Sequence, residues 1–342
     1  MKILDELYDL LGMFTLAETM KPERIESWPL DGMPIPEKEQ YHSEQIEKVK
    51  FDYTPQTLSE YIGQENAKSR IAIYVKKVHL KPCHLIISGT RGHGKSTLVY
   101  IIANILGAKI DTYVGGNFTI ENLHNFINKN HSDNELHILF IDEVHGISRE
   151  TSEYMLPILQ SFILPNGNKK IKPFIMMGAT TNLEILQKSS QPFLDRCDLL
   201  ELEHYNADDI KQMMKNYNDK LYQKNITEEA YNLISINTRF NPRTTLSLFD
   251  DFVITEDLQE VFRSRNIVKN GLTTKDIVIL EHLKEIKKPV GIEVLAVITN
   301  QTRESYKEIQ EPFLLRCGYI SRTARGRVLT LKGETLLQEL TK

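Results

Sequence analysis

Gly89-Thr90-Arg91-Gly92-His93-Gly94-Lys95-Ser96-Thr97 matches the spacing GxxxxGK[ST] in full, and its surroundings decide the fold. The apolar run 83–88 (CHLIIS) ahead of it is too short for a helix and reads as a buried strand, while the residues after it read as a helix. Strand, glycine-rich loop and helix in that order make a cradle for phosphate groups. Gly92 and Gly94 let the backbone wrap the phosphates, and loop N–H groups and the helix N-terminus supply positive potential. Lys95 reaches the outer phosphates, Ser96 can ligate Mg²⁺, and Thr97 opens the helix behind them.

Further along, 138–141 (ILFI) and 174–178 (FIMMG) are again short apolar runs bounded by breaks. Such strands alternating with helical segments predict an α/β fold with a parallel sheet flanked by helices. The first run ends in Asp142-Glu143, 47 residues beyond Lys95. Hydrolysis of ATP needs a metal and an in-line water; Asp142 suits the metal and Glu143 the water. The second ends in Gly178-Ala179-Thr180-Thr181-Asn182, where Thr181 could sense the γ-phosphate or hold the water; taken singly, this cluster could equally be a capping turn. Two later arginines, Arg196 and Arg243, suit charge stabilisation on a transferring phosphoryl group, although residue type alone would leave both as surface arginines.

The chain has 342 residues, 41% hydrophobic and 26% charged, so two or three packed units are expected and wholesale disorder is excluded. A net charge of −4 advertises no global affinity for nucleic acid, so any such contact must come from a local patch. One exists: between Arg316 and Lys332 there are five basic residues and no acidic one, with Arg322, Arg325 and Arg327 at an expected hairpin around 324–326. Arg303, on a preceding helix, could add a phosphate contact. Three scattered cysteines without CxxC spacing argue against a disulfide framework or a zinc site. With no membrane-spanning run and an acidic N-terminus, a soluble, cytoplasmic protein is expected, with no membrane partner. Residues 1–50 carry eleven acidic and six basic side chains. They read as an appendage: an amphipathic helix over the first twenty residues and a Pro-rich linker, docking either on the chain itself or on a partner.

With these motifs in this order the chain resembles an AAA+ ATPase, and flanking words narrow the resemblance to the RuvB-type branch-migration motors. Tyr61-Ile62-Gly63-Gln64, Ile141-Asp142-Glu143-Val144-His145, Gly178-Ala179-Thr180-Thr181 and Asp195-Arg196 are similar to that family's segments. So, in the tail, are Pro289-Val290-Gly291-Ile292, Glu311-Pro312-Phe313-Leu314 and Arg322-Thr323-Ala324-Arg325-Gly326-Arg327. Beyond the extension 1–50, the resemblance implies a large P-loop ATPase domain 51–203, a small helical lid domain 204–272 and a C-terminal winged-helix DNA-binding domain 273–342. It implies a DNA helicase of recombination and repair that hydrolyses ATP with Mg²⁺ and drives branch migration of four-way junctions. A homo-oligomeric ring, hexameric in the family, would move double-stranded DNA. Arg196 would be the finger reaching a neighbour's γ-phosphate and Arg243 the second sensor. Tyr61 and Ile62 would lie beside the adenine, with Tyr205 closing that pocket.

Departures accompany the likeness. The family's long hairpin that meets a RuvA-like junction-binding partner is reduced to about 162–174, which counts against that docking. An acidic pair at its start is replaced by Gln160-Ser161, an arginine before the finger by Leu194, and an arginine near the adenine by Thr54. The segment after Arg243 lacks the family's arginines, and the head is foreign to it. An alternative of a different class is therefore a switch or loader ATPase that remodels a protein partner on DNA.

Overall fold

A computed structural model describes residues 53–131, 134–165 and 169–340. The expected helix and linker of the N-terminal extension lie outside the described residues. Two compact units divide the chain, one ending at Ile254 and the next beginning at Thr255.

The first unit is built on a five-stranded parallel sheet: β1 His84–Ser88, β2 Lys109–Val114, β3 His137–Asp142, β4 Ile175–Thr180 and β5 Cys197–Glu201. Their spatial order is β2-β3-β4-β1-β5. The three expected strands are the three central ones, buried along almost their whole length. Side chains on a strand alternate between faces, so each apolar run feeds two cores. Leu85, Ile87, Phe140 and Met177 pack with Leu98 and Ile102 of the helix Lys95–Leu106. Ile86, Leu139, Ile141 and Met176 meet Phe126 and Met155 of the helices Ile120–His131 and Arg149–Ser161 on the other side. β2 and β5 were not expected. They are the sheet's two edges, and Lys109, Asp111, Asp198 and Glu201 interrupt their apolar pattern, as edge strands that avoid further pairing commonly show.

Beyond β5 the chain is helical, as expected: Ala207–Leu221, capped reciprocally by Asn206 and Asp209, then Glu228–Asn237 and Pro242–Thr255. Phe249 stacks on Tyr231 at 5.8 Å and 10° to hold the last two together. The short hairpin expected near 162–174 is present as a single antiparallel bridge, Ile163 to Lys170.

The second unit holds the helix Leu258–Ser264, the strand pair β6 Ile267–Lys269 and β7 Leu272–Thr273, and the helices Thr274–Ile286 and Ile292–Ile298. Then Arg303–Ser305 runs through a π-helical stretch, Tyr306–Gln310, into Glu311–Arg316. β8 Ile320–Thr323 and β9 Gly326–Leu329 form the expected hairpin, with Val290 bridging Arg327 as a third strand. Gly326 (φ 147°) lies so close to that third strand that a Cβ would sit 2.4 Å from the Val290 carbonyl oxygen, so only glycine fits there. The boundary expected at 272/273 differs from this division: the helix Leu258–Ser264 and β6–β7 go with the C-terminal unit, because Val268 and Leu272 pack into its core beside Leu280. No helix among the described residues is long and apolar enough to cross a membrane.

His84 makes the sheet's stability acid-sensitive. Buried at the start of β1, its Nδ1 accepts from the Met176 N–H at 3.0 Å, which leaves Nε2–H to donate to the Leu159 carbonyl at 2.9 Å. Burial lowers its pKa from the ordinary 6.5 to about 4, partly opposed by the Leu159 carbonyl. Between those values the unfolded chain binds more protons than the folded one. The contribution is therefore intact above pH 6.5 and falls away toward pH 4, by about 3 kcal/mol over that window. Urea unfolding at pH 7 and pH 4.5 is expected to show a steeper acid loss for wild type than for His84→Gln; equal losses would count against this.

Candidate ATP-hydrolysis site

Parallel strands deliver their C-terminal ends to one edge of the sheet, and the candidate residues gather there. β1 runs into the loop 89–94, the helix Lys95–Leu106 starts behind Gly94 (φ 82°), β3 ends at Asp142 and β4 at Thr180. The Gly89 N–H donates to the Thr180 carbonyl at 3.2 Å and ties the loop to the sensing strand.

Within the loop, carbonyls are held from behind. Lys95 Nζ donates to the Gly89 and Thr90 carbonyls at 2.9 and 3.1 Å. Tyr61 OH donates to the His93 carbonyl at 3.0 Å and the Gly94 carbonyl at 3.4 Å, and Tyr205 OH reaches the His93 carbonyl at 3.2 Å. Tyr61 and Tyr205, expected to flank the base, thus turn their hydroxyls to the loop's backbone and to each other at 3.2 Å. Burial keeps both phenols neutral, pushing Tyr205 up to about 12 and Tyr61 well above its ordinary value. Ile62 beside them is half-buried. The next residue but one, Gln64, pairs both ways with the Glu203 backbone, at 2.7 and 2.9 Å, and locks this word to the segment leading into the helices.

Lys95 is buried, which lowers its pKa; the Glu143 and Asp142 carboxylates oppose the fall, and Arg243 and Arg91 add to it. Those five charges therefore share one neighbourhood, to which the helical region contributes Arg243. Asp142 Oδ1 accepts from the Glu143 N–H at 3.0 Å. Glu143 adopts a left-handed conformation (φ 48°, ψ 51°), and its Oε2 accepts from both the backbone N–H and the hydroxyl of Thr181, at 3.2 and 3.0 Å. Glu143 and Thr181, which the sequence offered as separate candidates, are thus in direct contact. His145 Nδ1 completes the group, 3.3 Å from Glu143 Oε2 and 3.0 Å from Thr180 Oγ1.

Ser96 and Thr97 occupy the first turn of the helix, whose opening N–H groups have no intrahelical partners. Among the described residues no cluster of three or more His, Cys, Asp or Glu side chains offers a metal cage. One hydroxyl (Ser96) and one carboxylate (Asp142) fit Mg²⁺, which keeps several waters and binds through substrate phosphates.

Arg196 stands apart from this group. It immediately precedes β5, whose first residue, Cys197, pairs with His84, while Ser88 pairs with Glu201. Arg196 is therefore at the far end of the sheet, ~16 Å along the strand direction from the start of its own phosphate loop. Its guanidinium donates to the Pro192 carbonyl at 2.5 Å and to Gln160 Oε1 at 2.8 Å, both neutral acceptors, and it forms no ion pair among the described residues.

In the C-terminal unit the arginines differ in availability. Arg325, at the hairpin tip, is exposed. Arg322 and Arg327 both donate to Oε1 of the buried Glu311, at 2.9 and 2.6 Å; the first remains 60% exposed, the second 17%. Burial alone would raise Glu311, but these two hydrogen bonds outweigh it and hold the carboxyl below the usual range. Arg322 and Arg325 thus face solvent, while Arg327 is largely covered and tied to Glu311. Arg303 lies 3.4 Å from Glu293 on the surface.

Sequence reasoning missed Asn241, His145 and Arg91. Asn241 carried a usable signal, since Asn before Pro marks a helix start. His145 carried none, because only the left-handed turn at Glu143 swings it back.

Residues 53–202 match the family model described as the Holliday junction DNA helicase RuvB P-loop domain, and 269–338 that of the RuvB C-terminal winged helix domain. The Holliday junction branch migration complex subunit RuvB of Acholeplasma laidlawii is 32% identical over 83% of this chain and 90% of its own length. Its counterpart in Pseudothermotoga lettingae is 34% identical, over 81% and 87%. The solved Thermotoga maritima RuvB Holliday junction branch migration motor superposes with a TM-score of 0.72 at 28% identity, covering 83% of this chain and 98% of that one. These likenesses favour the motor and lend nothing to the loader alternative.

Proposed function

The chain belongs to the RuvB family, and from that premise we propose that it is an ATP-driven motor that drives branch migration of four-way DNA junctions as an oligomeric ring. Its chemistry is ATP hydrolysis. The observation that carries the ring is the split of the candidate set: Lys95, Ser96, Asp142, Glu143, Thr181 and Arg243 collect at the end of the strands where the phosphate loop lies, and Arg196 sits at the other end, bonded among the described residues to neutral acceptors. A second copy whose sheet end faces the first copy's loop would complete the site.

The chain's own residues then divide the work. Loop N–H groups and Lys95 hold the β- and γ-phosphates; Ser96 and Asp142 would hold Mg²⁺, which would supply neutralising charge at those phosphates. Glu143, released by Thr181, polarises the attacking water; Thr181 reports whether the γ-phosphate is present. Arg243 senses the same phosphate from the helical side, and Tyr61, Ile62 and Tyr205 line the approach of the base. Arg196 of a neighbour stabilises the transition-state charge. Hexameric size and a RuvA-like loader follow from the family reading, as does a cytoplasmic location beside DNA.

On the DNA side, Arg322 and Arg325 contact backbone phosphates, with Arg303 lending a further charge and Arg327 stiffening the hairpin through Glu311. Replacing Arg322 and Arg325 together by Ala is expected to weaken duplex binding equally for all sequences and to flatten the log–log salt slope by about 2. An unchanged slope would remove the hairpin from the DNA interface. The function is tested by ATP turnover with and without DNA: a motor accelerates on four-way junction DNA, whereas a rate indifferent to DNA and raised only by a protein partner would favour the loader.

A further inference from the structure

We propose that Asn241 is a positioning residue for ATP binding, latching the helical domain to the phosphate loop through the Arg91 carbonyl and thereby aiming a loop N–H at the nucleotide. The inference rests on the reading of this loop as an ATP site.

Asn241 uses both ends of its amide. Its Oδ1 accepts from the Thr244 N–H at 3.3 Å, capping the helix that carries Arg243, and its backbone carbonyl accepts from the Thr245 N–H at 2.9 Å. Its Nδ2 donates to the Arg91 carbonyl at 2.7 Å, 150 residues away in sequence. The approach is so close that a Cβ on Gly92 (φ 83°) would meet Asn241 Oδ1 at 2.5 Å and Nδ2 at 2.9 Å. The glycine at the fourth place of the loop is thus required by the latch as well as by backbone conformation.

The consequence follows from peptide geometry. The Arg91–Gly92 bond is trans, and in a trans peptide the carbonyl and the following N–H point in opposite directions. Holding the Arg91 carbonyl outward against Asn241 turns the Gly92 N–H inward, to the concave side that receives phosphate. The carbonyls of His93 and Gly94 are likewise held by side chains outside the loop, Tyr61 and Tyr205. Asn241 adds to this set a clamp mounted on the helical domain, so a shift of that domain releases one phosphate donor directly, without any change at Arg243.

Two substitutions separate the latch from the cap. Asn241→Ser keeps an uncharged capping oxygen but is too short to reach Arg91; Asn241→Ala loses both functions. Fluorescent-ATP titration without DNA and steady-state turnover are measured alongside melting temperature. Both variants are expected to raise Kd and KM for ATP about tenfold with kcat within twofold, since the donor is lost equally from ground and transition states. Only Asn241→Ala should also melt earlier. An Asn241→Ser chain with a KM rise below threefold, or with its loss confined to kcat, would overturn the latch. Failure of wild type to bind ATP would instead sink the reading of the site itself.

Discussion

Replacing Arg196 by Ala is expected to leave ATP binding within about twofold of wild type and to cut turnover by about 10³-fold or more, the range over which an arginine finger acts. The reason is positional. Arg196 sits beside the start of β5, opposite the start of β1, and the phosphate loop leaves the other end of β1. No rotamer of a side chain about 7 Å long spans that distance, so its removal cannot disturb the phosphates bound by its own subunit. Gln160 and the Pro192 carbonyl orient the guanidinium without cancelling its charge, which keeps the full charge for a neighbour's phosphate. The variant therefore has a complementing partner. Lys95→Ala cannot hold nucleotide but still presents Arg196, while Arg196→Ala holds nucleotide but lacks the finger. Mixing the two is expected to restore part of the turnover at boundaries where the first faces the second. No recovery at any mixing ratio would place the finger's action within a single subunit and contradict the geometry.

Glu143→Gln is expected to bind ATP normally and to lower kcat by about 10²- to 10⁴-fold, the usual contribution of a positioned general base. Glutamine keeps an oxygen where Thr181 donates its N–H and hydroxyl, so the site's arrangement survives and only the charge is lost. A carboxylate that polarises water acts on the transition state, and its loss should appear in kcat and kcat/KM together, with KM unchanged. A variant that instead lost ATP affinity while retaining kcat would make Glu143 a binding residue. The same hydrogen bonds suggest why Thr181 is informative: in this structure it holds Glu143 back, and a γ-phosphate that drew its hydroxyl away would free the carboxylate for water.

The parts of this arrangement that were legible in the sequence are those where one short stretch carries both structure and chemistry. The loop 89–97 follows a strand with the apolar centre Leu85-Ile86-Ile87, and Asp142-Glu143 and Thr180-Thr181 follow the apolar runs 138–141 and 174–177, so position and candidate role could be read together. β2 and β5 were missed because an edge strand faces solvent and carries charges; CDLLE and KIDTYV do not repeat at either period strongly enough to be noticed. Asn241 was missed for a different reason, since its partner Arg91 lies 150 residues away and pairing at that range leaves no periodicity. The hairpin arginines were found, but not their inequality. Only the folded C-terminal unit brings Glu311 under Arg322 and Arg327 and leaves Arg325 facing solvent.

The most direct test of the motor is ATP-dependent strand separation of a synthetic four-way junction by the purified chain. It is run with and without a RuvA-type junction-binding protein, beside a matched linear duplex and the Glu143→Gln variant. Wild type is expected to resolve the junction into its component duplexes only when ATP is hydrolysed, and Glu143→Gln to leave it intact. Vigorous ATP hydrolysis with an unaltered junction, in the presence and absence of that protein, would contradict this.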